Sequence, residues 1–190
     1  MKQALLVIDA QQELIEGNDN EKPVVHKEKL IETINHVIGK AVEADASLVF
    51  VRDRDVAGGK GDGFQVHRGI KVPEHAVTFD KLATNSFYGT GLLGFLKEEK
   101  IGHVVVMGCQ TEHCIDTAVR YATVSGMDVT LVADGHSTKD SPALSGEQII
   151  QHHNHALNGH YNVDHFSDVR QSEEDIFQPK HDEYRKKYGM

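Results

Sequence analysis

Short apolar runs rich in β-branched residues recur along the chain at residues 4–8, 47–51, 76–79, 103–107 and 128–132, with a weaker run at 161–166. Their length and composition predict six strands. Between them, residues 27–43, 89–99, 112–124 and 142–157 carry apolar side chains at helical spacing, as in Leu30, Ile34, Val37, Ile38 and Ala41. Strands alternating with helices predict a parallel sheet. The uninterrupted Val104-Val105-Val106-Met107 run suits a sheet covered on both faces. Right-handed crossovers then predict an α/β, Rossmann-like three-layer fold with a six-stranded parallel sheet in the order 3-2-1-4-5-6. A single domain is expected over residues 1–177, since typical domains run to about 100–200 residues. Residues 178–190 form a charged tail without strong apolar periodicity, expected to lie on the surface, dock on a partner subunit or be disordered.

In such sheets ligands bind beyond the carboxyl ends of the strands. That rule selects Asp9, residues 52–55, Asp80 and Lys81, residues 108–114 and residues 133–136. The segment 53–67 contains Gly58, Gly59, Gly61 and Gly63 directly after a strand, which predicts a flexible loop forming part of a pocket wall.

The most informative stretch is VVVMGCQTEHCIDTA, residues 104–118. A buried strand ends at Gly108, and a helix is expected to start near Thr111 as N-cap. Cys114 then falls in the first helical turn. There the helix dipole and unpaired N–H groups favour thiolate over thiol, and the same N–H groups suit an oxyanion hole. A small core side chain is the alternative role for Cys114. Asp9, at the end of the first strand, is either a turn residue or a base that takes the thiol proton and returns it to a leaving amine. Lys81, closing the third strand, is either a solvated surface lysine or the ammonium that keeps both neighbours charged. It has to span the width of a strand to do so.

Composition narrows the function. Lys and Arg number 20 against 29 Asp and Glu, a net charge of -9, which argues against nucleic acid as a partner. The first ten residues hold an apolar run too short for a secretory leader, and no stretch reaches the ~18 apolar residues of a membrane span. A soluble, cytoplasmic protein with no membrane partner is therefore expected. Cys109 and Cys114 are the only cysteines, and their spacing is neither a CxxC redox pair nor a zinc knuckle.

The segments VIDAQ, DKLATNSFYGTGL and VMGCQTEHC together resemble the isochorismatase-like cysteine hydrolases, in similar order and spacing over nearly the whole chain. The resemblance implies a Rossmann-like parallel sheet and a catalytic Asp, Lys, Cys triad, falling on Asp9, Lys81 and Cys114. It also implies a non-proline cis peptide between Cys109 and Gln110, with the backbone N–H groups of Gln110 and Cys114 as the oxyanion hole. The substrate so implied is a small-molecule amide, cleaved at its C–N bond through a thioester on Cys114. A homo-oligomer is expected on the same ground. Phe64, Phe87, Tyr88 and His113 are candidate substrate-binding walls.

Nicotinamidases of that family carry a metal on an Asp followed two residues later by a His. Here the matching stretch is Arg52-Asp53-Arg54-Asp55, so that His is missing. Asp53, Asp55 and His67 are expected to make solvated ion pairs with the flanking arginines. No metal is predicted. His152, His153, His155, His160 and His165 lack metal-site spacing and are assigned to helix surface or a subunit interface. With no GxGxxG after the first strand and no Walker motif, no organic cofactor is expected. Two other functions remain open: vinyl-ether hydrolysis of isochorismate, in which family members commonly lack the nucleophilic Cys, and a non-catalytic binding or redox-responsive role for Cys109 or Cys114.

Overall fold

The structure is a computed structural model that describes residues 1–189. Its sheet contains β1 (Lys2–Ile8), β2 (Ser47–Asp53), β3 (Val77–Lys81), β4 (Ile101–Cys109), β5 (Asp128–Ser137), β6 (Tyr161–Asn162) and β7 (His165–Arg170), in the order β3-β2-β1-β4-β5-β7-β6. All neighbours are parallel except the terminal pair of β6 and β7. The helices are α1 (Gln12–Glu16), α2 (Lys27–Glu43), α3 (Gly61–Phe64), α4 (Leu92–Glu98), α5 (Asp116–Val124), α6 (Gly146–Leu157) and α7 (His181–Tyr188).

The apolar strands are continuous because both faces are covered. Leu5 and Val7 of β1 join Leu48, Phe50, Val105 and Met107 on one face, packed against Leu30, Ile34, Val37, Ile38 and Ala41 of α2. Ala4, Leu6 and Ile8 join Val49, Val51, Val104 and Val106 on the other, under Leu92 and Leu96 of α4 and Ala118, Val119 and Ala122 of α5. The period-two alternation of each strand thus feeds two cores, and each buried Leu, Ile or Val contributes about 1.5–3 kcal/mol.

Several boundaries differ from the sequence expectation. The sheet has seven strands rather than six, because the run at 161–166 is a hairpin: Val163 turns with φ 52, and the strand that pairs with β5 starts at His165. The helix expected from residue 142 begins at Gly146. Ser145 Oγ accepts from the Gln148 N–H at 3.3 Å while Gln148 Oε1 accepts from the Ser145 N–H at 3.0 Å, a reciprocal cap that sets the start. The helix expected over 112–124 is divided into a π-helical turn, Thr111–Ile115, and α5. In the charged tail, Met190 lies outside the described residues, and α7 docks on the chain's own sheet. His181 Nε2 donates to the Val129 carbonyl at 3.0 Å, and Arg185 Nη2 donates to Asp128 Oδ1 at 2.5 Å.

The glycine at the end of β4 is dictated by close approach. Gly108 has φ 124, and a Cβ there would stand 1.9 Å from the Ile8 carbonyl oxygen, so only glycine lets β4 pass the end of β1. Asp9 directly follows β1, and the turn bearing Cys114 follows the adjacent end of β4.

Candidate active site

Asp9 follows β1 in a left-handed conformation, φ 50, and its N–H donates to the Val51 carbonyl at 2.8 Å. Lys81 is the last residue of β3, in register with Asp53 at the end of β2. The Lys81 side chain is fully buried and crosses the end of β2 to reach β1. Its Nζ lies 2.9 Å from Asp9 Oδ2, donates to Cys114 Sγ at 3.4 Å, and bonds Asp53 Oδ2 as well. The structure therefore brings Asp9, Lys81 and Cys114 together, with Asp53 between the strands.

The expectation of a solvated pair between Asp53 and the flanking arginines is corrected. Arg52 binds Asp80 at 2.8 Å instead, since neighbouring strand residues point to opposite faces. Asp53 is further held by the buried Gln11, whose Oε1 accepts from the Asp53 N–H at 2.7 Å and whose Nε2 donates to the Asp53 and Phe64 carbonyls. The signal for Asp53 in the sequence is positional: it closes the strand that separates Asp9 from Lys81.

Burial opposes the charge on Lys81, yet the Asp9 carboxylate, Cys114 and the bond to Asp53 together raise its pKa above the usual lysine range. Burial lifts the Asp9 carboxyl to about 6 against the pull of Lys81. Cys114 is pushed up to about 12, because burial and the Asp9 charge outweigh the attraction of Lys81. The direction is opposite to the lowered thiol pKa expected from the helix end alone. These surroundings favour the thiol over the thiolate, an arrangement suited to a base that takes the proton as the sulfur attacks.

Thr111 does not cap a helix. Its hydroxyl bonds His136 Nδ1 at 2.8 Å, His136 Nε2 bonds Asn154 Oδ1 at 2.9 Å, and Asn154 Nδ2 donates to the Ala133 carbonyl at 2.9 Å. The chain has one consistent direction. Asn154 Oδ1 is an acceptor, so His136 carries its proton on Nε2 and accepts from Thr111 through Nδ1. This relay anchors the turn bearing Cys114 to β5 and α6, and nothing local in the sequence marks it. The peptide between Cys109 and Gln110 is cis. Cys109 is fully buried in the core, and burial raises its thiol pKa far above the usual range.

Cys114, Asp9, Asp53 and Gln110 line an open cavity of about 250 Å³, together with Glu13, Leu14, Asn18, Glu21, Asp55, Val56 and Ala57. The glycine-rich segment does form a wall, as a 3₁₀ turn at Val56–Gly59 followed by α3. The four candidate wall residues are elsewhere. Phe64 is buried under the Arg52 guanidinium, 4.3 Å from its ring centroid. Phe87 is core-packed and stacked on Tyr121, Tyr88 is 73% exposed, and His113 points to solvent beside Glu112.

Of the other side chains expected to pair with the flanking arginines, Asp55 has no ion-pair partner among the described residues, and His67 is engaged elsewhere. His67 accepts from the Gly69 N–H through Nδ1 at 3.0 Å and so donates from Nε2 to Glu16 at 3.0 Å. Asp9, Asp53 and Cys114 have ligating atoms within 4.8 Å of one another, but the Lys81 ammonium already bonds all three. In this arrangement the lysine supplies the positive charge of the site. The late histidines scatter: His153 bonds the Ile149 carbonyl, His160 meets Arg120 and His165 meets Asp128.

The isochorismatase domain model matches residues 3–159 of this chain. The chain belongs to the isochorismatase family. It is 28% identical over 138 residues to the uncharacterized isochorismatase family protein YrdC of Bacillus subtilis (strain 168), covering 70% of this chain and 72% of that one. The crystal structure of an isochorismatase family protein superposes with a TM-score of 0.78 at 27% identity, over 88% of this chain and 96% of the other. At the level of fold, N-carbamoylsarcosine amidase from Thermoplasma acidophilum is also similar, with a TM-score of 0.71 at 22% identity over 92% and 98% of the two chains. This family member is an isochorismatase-type hydrolase with a three-layer α/β fold. Among the described residues no helix is long and apolar enough to cross a membrane.

Proposed function

We propose that the protein is a cysteine hydrolase that cleaves an amide-type C–N bond of a small molecule through a thioester on Cys114. The observation that carries this reading is the single buried ammonium of Lys81 bonded to both Asp9 and Cys114, with the sulfur in the cavity wall. A fully buried lysine joining a thiol to a carboxylate is costly as scaffold and useful as chemistry.

Cys114 Sγ attacks the carbonyl carbon as Asp9 accepts the thiol proton. The tetrahedral oxyanion is received by the backbone N–H groups of Gln110 and Cys114. Asp9 returns the proton to the departing nitrogen, the C–N bond breaks, and the amine leaves. Water, deprotonated by Asp9, then attacks the thioester, releasing the carboxylic acid and restoring the thiol. Lys81 keeps Asp9 anionic enough to act as base and compensates charge on sulfur as it develops. One protein of this fold is named as an amidase, which agrees with the reaction class. Intact mass after rapid quenching with a panel of small amides tests the scheme. An acyl adduct on Cys114 that disappears in Cys114→Ala is expected, and full hydrolytic activity in Cys114→Ala would overturn it.

A further inference from the structure

The cavity in front of Cys114 has a one-sided charge. Among the described residues its lining includes the carboxylates of Asp9, Glu13, Glu21, Asp53 and Asp55 and no cationic side chain. Two lysines outside the lining pair with three of these carboxylates: Lys81 is shared by Asp9 and Asp53, and Lys139 pairs with Glu21 at 2.5 Å. That leaves Glu13 and Asp55. Among the described residues neither has an ion-pair partner, and Glu13 receives only the Asn18 amide, at 3.1 Å. The apolar part of the lining is made by Leu14, Val56 and Ala57. A second feature also calls for a donor from the ligand: Asp9 Oδ1 is buried in the cavity wall and has no hydrogen-bond partner among the described residues.

We propose that the substrate is a small amide bearing a cationic group, an ammonium or guanidinium on a short aliphatic stem, received by Glu13 and Asp55 while the amide lies at Cys114. This rests on the cysteine hydrolase reading and adds to it the charge of the substrate. The stem lies along the apolar wall, and the N–H of the scissile amide meets Asp9 Oδ1. A dicarboxylate such as isochorismate is repelled by the same cavity.

Two sets of probes separate the charge of the cavity from the chemistry of hydrolysis. The first is thiol alkylation with reagents matched in size: bromoethylammonium, iodoacetamide and iodoacetate. In each, Cys114 Sγ displaces halide to form an S–C bond, and the thiol proton goes to Asp9 or buffer. Rates mapped to Cys114 and normalised to mercaptoethanol are expected to fall from cation to neutral to anion, by about tenfold per step at low salt, and to converge in high salt. The cation-to-neutral ratio is expected to collapse in Glu13→Gln/Asp55→Asn, a ratio that cancels any general loss of reactivity. The second set is hydrolysis of aminohexanamide, hexanamide and adipamic acid, with the same ranking in kcat/KM.

If iodoacetate labels Cys114 as fast as the cationic reagent, or the ranking ignores salt and both carboxylates, the inference is overturned even if neutral amides are hydrolysed. If the alkylation ranking holds but no amide of any charge is cleaved, the cation preference of the cavity stands and the amidase reading fails.

Discussion

At the residue scale, the proton on Cys114 is the central quantity. Two groups act on it in opposite senses: Asp9 disfavours the thiolate and Lys81 favours it. Asp9→Asn therefore has opposite effects on two measurements. Removing the carboxylate charge lowers the thiol pKa and enlarges the thiolate fraction, so alkylation by iodoacetamide near neutral pH is expected to speed up by about tenfold. Hydrolysis falls by about 10²–10⁴, the usual contribution of a positioned base. A variant slow in both would mean that Asp9 only shapes the site. The pH dependence follows from the same group. Asp9, with its carboxyl at about 6, accepts a proton only while ionised, so kcat/KM is expected to lose activity on the acid side with an apparent pKa near that value. A rate unchanged down to about pH 4.5 would remove Asp9 from the role of base.

At the scale of elements, the turn Thr111–Ile115 is held from outside itself. Its anchor is the relay from Thr111 through His136 and Asn154 to the carbonyl of Ala133. Thr111→Val keeps the shape and removes the donor, leaving His136 Nδ1 buried without a partner, a cost of about 1–3 kcal/mol. Chemical denaturation reads that loss. Because the same turn carries the nucleophile, kcat is expected to drop more than KM changes, and Thr111→Ser is expected to restore both. Equal stability in Thr111→Val would show that the hydroxyl contributes nothing to holding the turn.

For the whole molecule, two buried neutral histidines set the response to acid. Burial holds His136 at about 4 and His103 at about 3, whereas the unfolded chain titrates them near ~6.5. Between those values the unfolded state binds more protons. The stability they contribute is complete above about pH 6.5 and is lost as pH falls toward their folded pKa values. Asp9, with a folded pKa of about 6, and Asp168 act the other way, since burial raises both carboxyls, while His160, also lowered by burial, acts with the two rings. Thermal unfolding is expected to show a declining melting temperature from about pH 7 to about pH 4.5, with a shallower slope in His136→Gln. A flat profile would mean that the folded protein admits water or protons to both rings.

Local pattern alone determined a large part of this protein. Apolar runs of strand length, separated by helical periodicity, specify a parallel sheet covered on both faces, because only burial on both sides accounts for Val104 to Met107 without a polar break. Strand ends then mark the active edge, and Asp9, Lys81 and Cys114 stand there by position in the chain. What only the tertiary structure decided depends on distance and burial between segments far apart in sequence. Asp53 joins the site because β2 lies between β1 and β3, while its arginine neighbour points to the other face and pairs with Asp80. Burial and the Asp9 carboxylate raise the thiol pKa of Cys114, against the helix-end argument made from local sequence. Phe64 and Phe87 are packed away from the cavity, and Tyr88 and His113 are absent from its walls, because side-chain direction is set by packing rather than by position near a strand end. The short hairpin of β6 and β7 and the docking of α7 on β5 likewise arise from partners that no local window contains: a strand edge to pair with, a carbonyl at Val129 and a carboxylate at Asp128.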